Sequence, residues 1–171
     1  GLEGDARLAF AQHYAEMGYV TLAPDCMTAG DRISMKLRAY DTKTFYKDNP
    51  KISIASKMLA DHMRALDVFN EVKRLDSARV GVVGHGLGAF NALMLAAFDE
   101  RVQACVASCG FTRFATDKEP KRWSNEEGLI LLPKICEYIK GSKYPYDWEH
   151  VLALAAPSPT LVITALPDSE F

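Results

Sequence analysis

The chain of 171 residues is 49% apolar and 25% charged, with 20 Lys and Arg against 22 Asp and Glu for a net charge of −2. At roughly 150 residues per domain it reads as one domain, large enough to bury about 70% of its unfolded surface without disulfide or metal staples. The balanced charge excludes the basic footprint of a nucleic-acid binder, and no apolar run approaches the ~20 residues of a membrane span.

The start, Gly1-Leu2-Glu3-Gly4-Asp5, lacks the basic-then-apolar pattern of a signal peptide, so a cytoplasmic location is expected if Gly1 is the true start, and the location is open if the sequence is cut there. From Glu3 to Met17, Phe10, Tyr14 and Met17 recur at helical spacing, and Gly18 supplies the stop. Residues 19–23, Tyr-Val-Thr-Leu-Ala, form a short β-prone run ending at Pro24-Asp25, which predicts a buried parallel strand. A long polar stretch follows to Asn49-Pro50, and loops of this length are functional or disordered. Over 53–74 helical spacing returns, with Ile54, Met58, His62, Leu66 and Phe69 on one face, so His62 reads as a core residue.

Arg79 to Val83 predicts a second strand running into Gly84-His85-Gly86-Leu87-Gly88, then a small, apolar helix over Ala89–Phe98. Val102 to Ala107 predicts a third strand, ending at Ser108-Cys109-Gly110. Residues 111–150 are irregular and aromatic, with helices expected near 129–140 and from Trp148, the latter capped by Asp147. Thr160 to Thr164 predicts a fourth strand leading to Pro167-Asp168. Strands alternating with helices give a three-layer α/β/α fold on a mostly parallel sheet. Cys26, Cys105, Cys109 and Cys136 match neither a zinc nor a redox spacing and read as buried free thiols. His13, His62, His85 and His150 are scattered, so no metal is expected.

Two chemistries place a Gly-rich turn between a strand and a helix. Gly84-His85-Gly86-Leu87-Gly88-Ala89 satisfies the dinucleotide fingerprint G-x-G-x-x-A, in which backbone approaches a pyrophosphate at a helix N-terminus. That site also needs an acidic residue at the end of the next strand, and Ala107-Ser108-Cys109-Gly110 offers none. The same residues fit the nucleophile elbow G-x-S-x-G everywhere except the serine, which is Gly86.

With this turn, Gly18-Tyr19-Val20-Thr21-Leu22-Ala23-Pro24-Asp25, Thr28-Ala29-Gly30-Asp31-Arg32, Asp99-Glu100-Arg101-Val102, Ser108-Cys109-Gly110-Phe111, Leu152–Pro159 and Pro167-Asp168-Ser169-Glu170-Phe171, the chain resembles the α/β-hydrolase superfamily, in its dienelactone hydrolase and acetyl esterase branch. The resemblance implies a partial α/β-hydrolase fold, one domain over 1–171 incomplete at both ends, with pocket-shaping insertions near 28–50 and 111–150. It implies Gly86 at the nucleophile position, Asp168 as the acid that orients the catalytic histidine, and the backbone N–H of Leu87 as an oxyanion donor, with Gly84, His85 and Gly88 framing the elbow. His85 then reads as a packing spacer. No cofactor is implied; the substrate is a small carboxylic ester or lactone.

Such hydrolases carry their histidine beyond one further strand, whereas this sequence ends three residues after Asp168. With Gly86 and no histidine in that place, the chain as written is expected to show no significant turnover. A non-catalytic binding module and a nucleotide-binding domain using the 84–89 turn are the alternatives. Ser108 and Cys109 follow a strand at the edge where such folds place function and could substitute as nucleophiles, but no motif supplies a histidine for either, and a buried structural thiol is the commoner reading of Cys109. Tyr40, Phe45, Tyr46 and Trp123 are candidate pocket lining or, equally, aromatic packing of loops onto the body.

Overall fold

The computed structural model describes residues 9–33, 37–73, 75–76, 78–119, 123, 128–141 and 143–165. Alternation of strand and helix is realised as an α/β fold. Its elements are α1 (Phe10–Glu16), a 3₁₀ turn (Gly30–Arg32), α2 (Lys43–Asp48), α3 (Ile54–Glu71), β1 (Val80–His85), α4 (Leu87–Phe98), β2 (Val102–Ser108), α5 (Ile135–Gly141), α6 (Trp148–Leu154) and β3 (Thr160–Ile163).

The three strands form one parallel sheet in the order β1-β2-β3. The register pairs Val83 with Val106, His85 with Ser108, and Ser108 with Ile163. Because side chains alternate between faces along a strand, Val82, Gly84, Cys105 and Ala107 look one way. Val83, His85, Val106, Ser108, Leu161 and Ile163 look the other. On the first face lies α4, almost wholly apolar and buried at Ala89, Phe90, Leu93 and Leu95, with α3 and α6 packed against it. Burial pushes the Cys105 thiol on this face up to about 11, so it behaves as a small hydrophobe. On the opposite face Val83, Leu161 and Ile163 are each exposed among the described residues.

The run at 19–23 joins no strand among the described residues, against the expectation of a buried parallel strand there. A strand exists only through a partner's backbone. Here the segment remains in water, with Tyr19 64% and Val20 61% exposed, so its N–H and C=O groups avoid the cost of unpaired burial.

Two polar devices fasten the body. Asp147 caps α6, its carboxylate accepting from Trp148 N–H at 2.8 Å while His150 Nδ1 accepts from Asp147 N–H at 3.0 Å. The same buried carboxylate accepts from Phe114 N–H at 2.8 Å and Ala115 N–H at 3.0 Å, which ties the loop after β2 to the helix. Around this tie stack Phe90, Phe111, Phe114, Trp123, Tyr146 and Trp148, with Phe111 and Trp148 parallel at 4.8 Å. At the other end of the sheet, Arg101 donates through Nε and Nη2 to Asp99 at 2.8 and 2.6 Å, and reaches α3 at Asp67 (2.8 Å) and the Met63 carbonyl (3.2 Å).

Candidate active site

The strand of the turn runs two residues further than sequence spacing suggests, so Gly84 and His85 are its last rungs and Gly86 alone makes the corner. Gly86 has φ 55° and ψ −122°, in the left-handed half of backbone space that side chains with a Cβ rarely adopt. The chain reverses there from strand to helix in one residue. The corner is latched from below: Gly86 N–H donates to the Ser108 carbonyl at 2.9 Å, and the Gly86 carbonyl accepts from Ala89 and Phe90 N–H at 2.9 and 3.1 Å. A Cβ on Gly84 would fall on the Gly88 backbone, so that glycine is required by close approach. A Cβ on Gly86 would meet nothing within 4 Å. The corner therefore has room for a side chain although the sequence gives it none.

Leu87 opens the 12-residue α4, and no side chain caps that helix. Its N-terminal N–H groups carry the positive end of the helix dipole, suited to developing negative charge. Leu87 also packs against a second apolar cluster of Phe45, Ile54 and Met58, together with Cys26, Met27, Leu129 and Leu131. The two long irregular segments thus meet beside the turn. Cys26 Sγ accepts from the buried Asn91 of α4 at 3.4 Å, and burial raises its thiol pKa.

Of the aromatic candidates, Phe45 and Trp123 are core residues rather than lining. Tyr46 is engaged on both sides, its hydroxyl donating to the Ile130 carbonyl at 2.6 Å and accepting from Ile54 N–H at 3.0 Å. Tyr40 is exposed, with φ 62°. His62, expected in the core, is only half-buried on α3, with Nε2 unpartnered among the described residues and its pKa lowered by burial. Asp168, the expected acid, lies outside the described residues.

His85 differs from the spacer foreseen for it. Its Nδ1 lies 3.2 Å from Ser108 Oγ, which in turn reaches Cys109 Sγ at 3.9 Å. Sequence spacing missed this because the residues are 23 apart and meet only through the parallel register. The available signal was that each ends a strand. Cys109 itself sits at φ 52°. A cleft of about 810 Å³ lies elsewhere, between Ala96–Arg101 and Leu154–Pro159 at the amino end of β2, and contains none of these residues. Among the described residues no group of three His, Cys, Asp or Glu side chains is placed to hold a metal, and no helix is long and apolar enough to cross a membrane.

The sequence matches the model of the dienelactone hydrolase family over residues 1–128. The chain belongs to the dienelactone hydrolase family. Among curated relatives, it is 30% identical over 175 residues to the quorum-quenching protein AidA of Acinetobacter baumannii (strain MDR-ZJ06), covering 99% of this chain and 51% of AidA. It is 23% identical over 163 residues to YtaP of Bacillus subtilis (strain 168), covering 94% of this chain and 50% of YtaP. The chain therefore spans about half the length of the curated relatives it matches. Among solved structures, a glucuronoyl esterase from Solibacter usitatus superposes with a TM-score of 0.60 at 22% identity, over 68% of this chain and 32% of that one. That likeness establishes the shared α/β-hydrolase fold.

Proposed function

We propose that the protein is related to serine esterases acting on small carboxylic esters or lactones, and that the corner at Gly86 is its nucleophile elbow with the hydroxyl missing. The observation that carries this reading is the backbone of Gly86, at φ 55° and ψ −122° between a strand and an uncapped helix, with open space where a Cβ would stand. In this reading the N–H of Leu87 faces the oxyanion and Asp168 orients the catalytic histidine. Loss of a nucleophile leaves only the residual rate from binding and oxyanion donors, so the elbow itself turns over no ester.

The test is Gly86→Ser in the full-length protein, assayed with short-chain p-nitrophenyl esters. A restored elbow gains on the order of 10³-fold or more in kcat where a histidine stands against Asp168. A folded Gly86→Ser protein whose hydrolysis is unchanged, with or without added imidazole in place of that histidine, sinks the reading. The absent hydroxyl also favours a second reading, a non-catalytic pocket that binds esters or a partner; retention of an unreactive ester analogue by both proteins, with no gain in rate, would select it.

A further inference from the structure

The carboxyl edge of the sheet holds a hydroxyl and a base that position 86 does not use. His85 and Ser108 are the last residues of β1 and β2 and register partners, so their side chains leave the same face side by side. The 3.2 Å between His85 Nδ1 and Ser108 Oγ falls within the approach of about 2.6–3.2 Å expected of a nucleophile and its general base. Both are open to solvent, the imidazole exposed and the hydroxyl half-exposed. Their backbones are fixed, since Gly86 N–H donates to the Ser108 carbonyl and Cys109 N–H donates to the Ile163 carbonyl, each at 2.9 Å. Ser108 Oγ lies within reach of His85 Nδ1 at 3.2 Å and donates to Cys109 Sγ at 3.9 Å, and in the tautomer with Nδ1 unprotonated the nitrogen is the nearer and more basic acceptor.

We propose that Ser108, with His85 as its base, is an acyl acceptor for activated carboxylic esters. The proposal rests on the reading of the protein as one that handles carboxylic esters, and not on any role for position 86. Neutral His85 accepts the Ser108 hydroxyl proton at Nδ1 as Oγ bonds to the ester carbonyl carbon. The tetrahedral adduct collapses, the bond from that carbon to the alcohol oxygen breaks, and the alcohol leaves with the proton returned by the imidazolium. Acyl-Ser108 and one alcohol result, and water later releases the carboxylic acid. Among the described residues no carboxylate hydrogen-bonds His85, so base assistance belongs at the lower end of its usual range of about 10²–10⁴-fold. Acylation therefore occurs without rapid turnover.

The experiment treats unaltered full-length protein with p-nitrophenyl acetate, follows p-nitrophenol release, and maps the adduct by peptide mass spectrometry. The expected result is a burst of one equivalent with the acetyl group on Ser108. Ser108→Ala abolishes adduct and burst, Ser108→Cys retains the adduct as a thioester, and His85→Gln slows acylation about 100-fold. An unlabelled Ser108 in the unaltered protein overturns the proposal without need of a variant. So does a folded His85→Gln protein that acylates at the original rate. Ester hydrolysis gained by Gly86→Ser while Ser108 stays unlabelled defeats this proposal and leaves the family reading standing; no ester reaction or binding under any condition defeats both.

Discussion

Gly86 holds a conformation that costs nothing for glycine and about 1–3 kcal/mol for a residue carrying a Cβ. The Gly86→Ser variant therefore loses stability while the fold stays the same, because nothing lies within 4 Å of the new Cβ. A loss near 1 kcal/mol lowers Tm by about 2–4 °C for a chain of this size, measurable by calorimetry. An unchanged Tm would mean that the corner relaxes to an ordinary conformation, which would also move the hydroxyl away from the elbow position. The motif Gly84–Gly88 made this corner legible in the sequence, since glycine at Gly84 is what the close approach to the Gly88 backbone requires and glycine at Gly86 suits its positive φ. The pairing of His85 with Ser108 was not legible. It is set by which rung of β1 faces which rung of β2, a non-local quantity that neither segment contains.

Among the elements, α6 shows how much one residue can carry. Asp147 satisfies three backbone N–H groups, of Trp148, Phe114 and Ala115, from a buried position. Asp147→Ala removes the cap, worth about 0.5–2 kcal/mol, and leaves buried donors unpaired at about 1–3 kcal/mol each. The expected outcome is a loss of roughly 2–4 kcal/mol in urea unfolding, with Asp147→Asn recovering part of it. A loss below 1 kcal/mol would mean that water replaces the carboxylate. The cap was readable because Asp before an apolar helical run is a local signal, whereas the cap at the head of α3, Ser53 accepting from Ser56 N–H at 3.1 Å, was not singled out by spacing alone. The run at 19–23 looked equally clear but forms no strand, since composition favours extension while only a partner makes a ladder. Phe45 and Trp123 likewise show that an aromatic in a long irregular segment is legible as apolar, but not as core or lining.

At the scale of the whole molecule, Arg101 joins the turn before β2 to α3 through Asp99, Asp67 and the Met63 carbonyl. The Arg101 guanidinium hydrogen-bonded to Asp99 holds that carboxyl below the usual carboxylate range, against the opposing effect of burial. A depressed carboxylate pKa contributes stability that is present above the unfolded value near 3.9 and is lost as pH falls through the folded value. Asp99→Asn is therefore less stable than the parent at neutral pH by about 1.5–3 kcal/mol, as for a hydrogen bond to a charged group, and the difference closes in acid. Parallel pH–stability curves for the two proteins would refute the coupling.

The exposed face of the sheet bears on how this chain behaves in solution on its own. Among the described residues, Val83 on β1 and Leu161 and Ile163 on β3 expose apolar surface across one face of the sheet, and β1 and β3 are its edges, while the net charge is only −2. Such a surface is a patchy particle, with short-range attraction concentrated on one side and little long-range repulsion to oppose it. Its osmotic second virial coefficient is negative, and added salt, by screening what charge there is, drives it further in that direction.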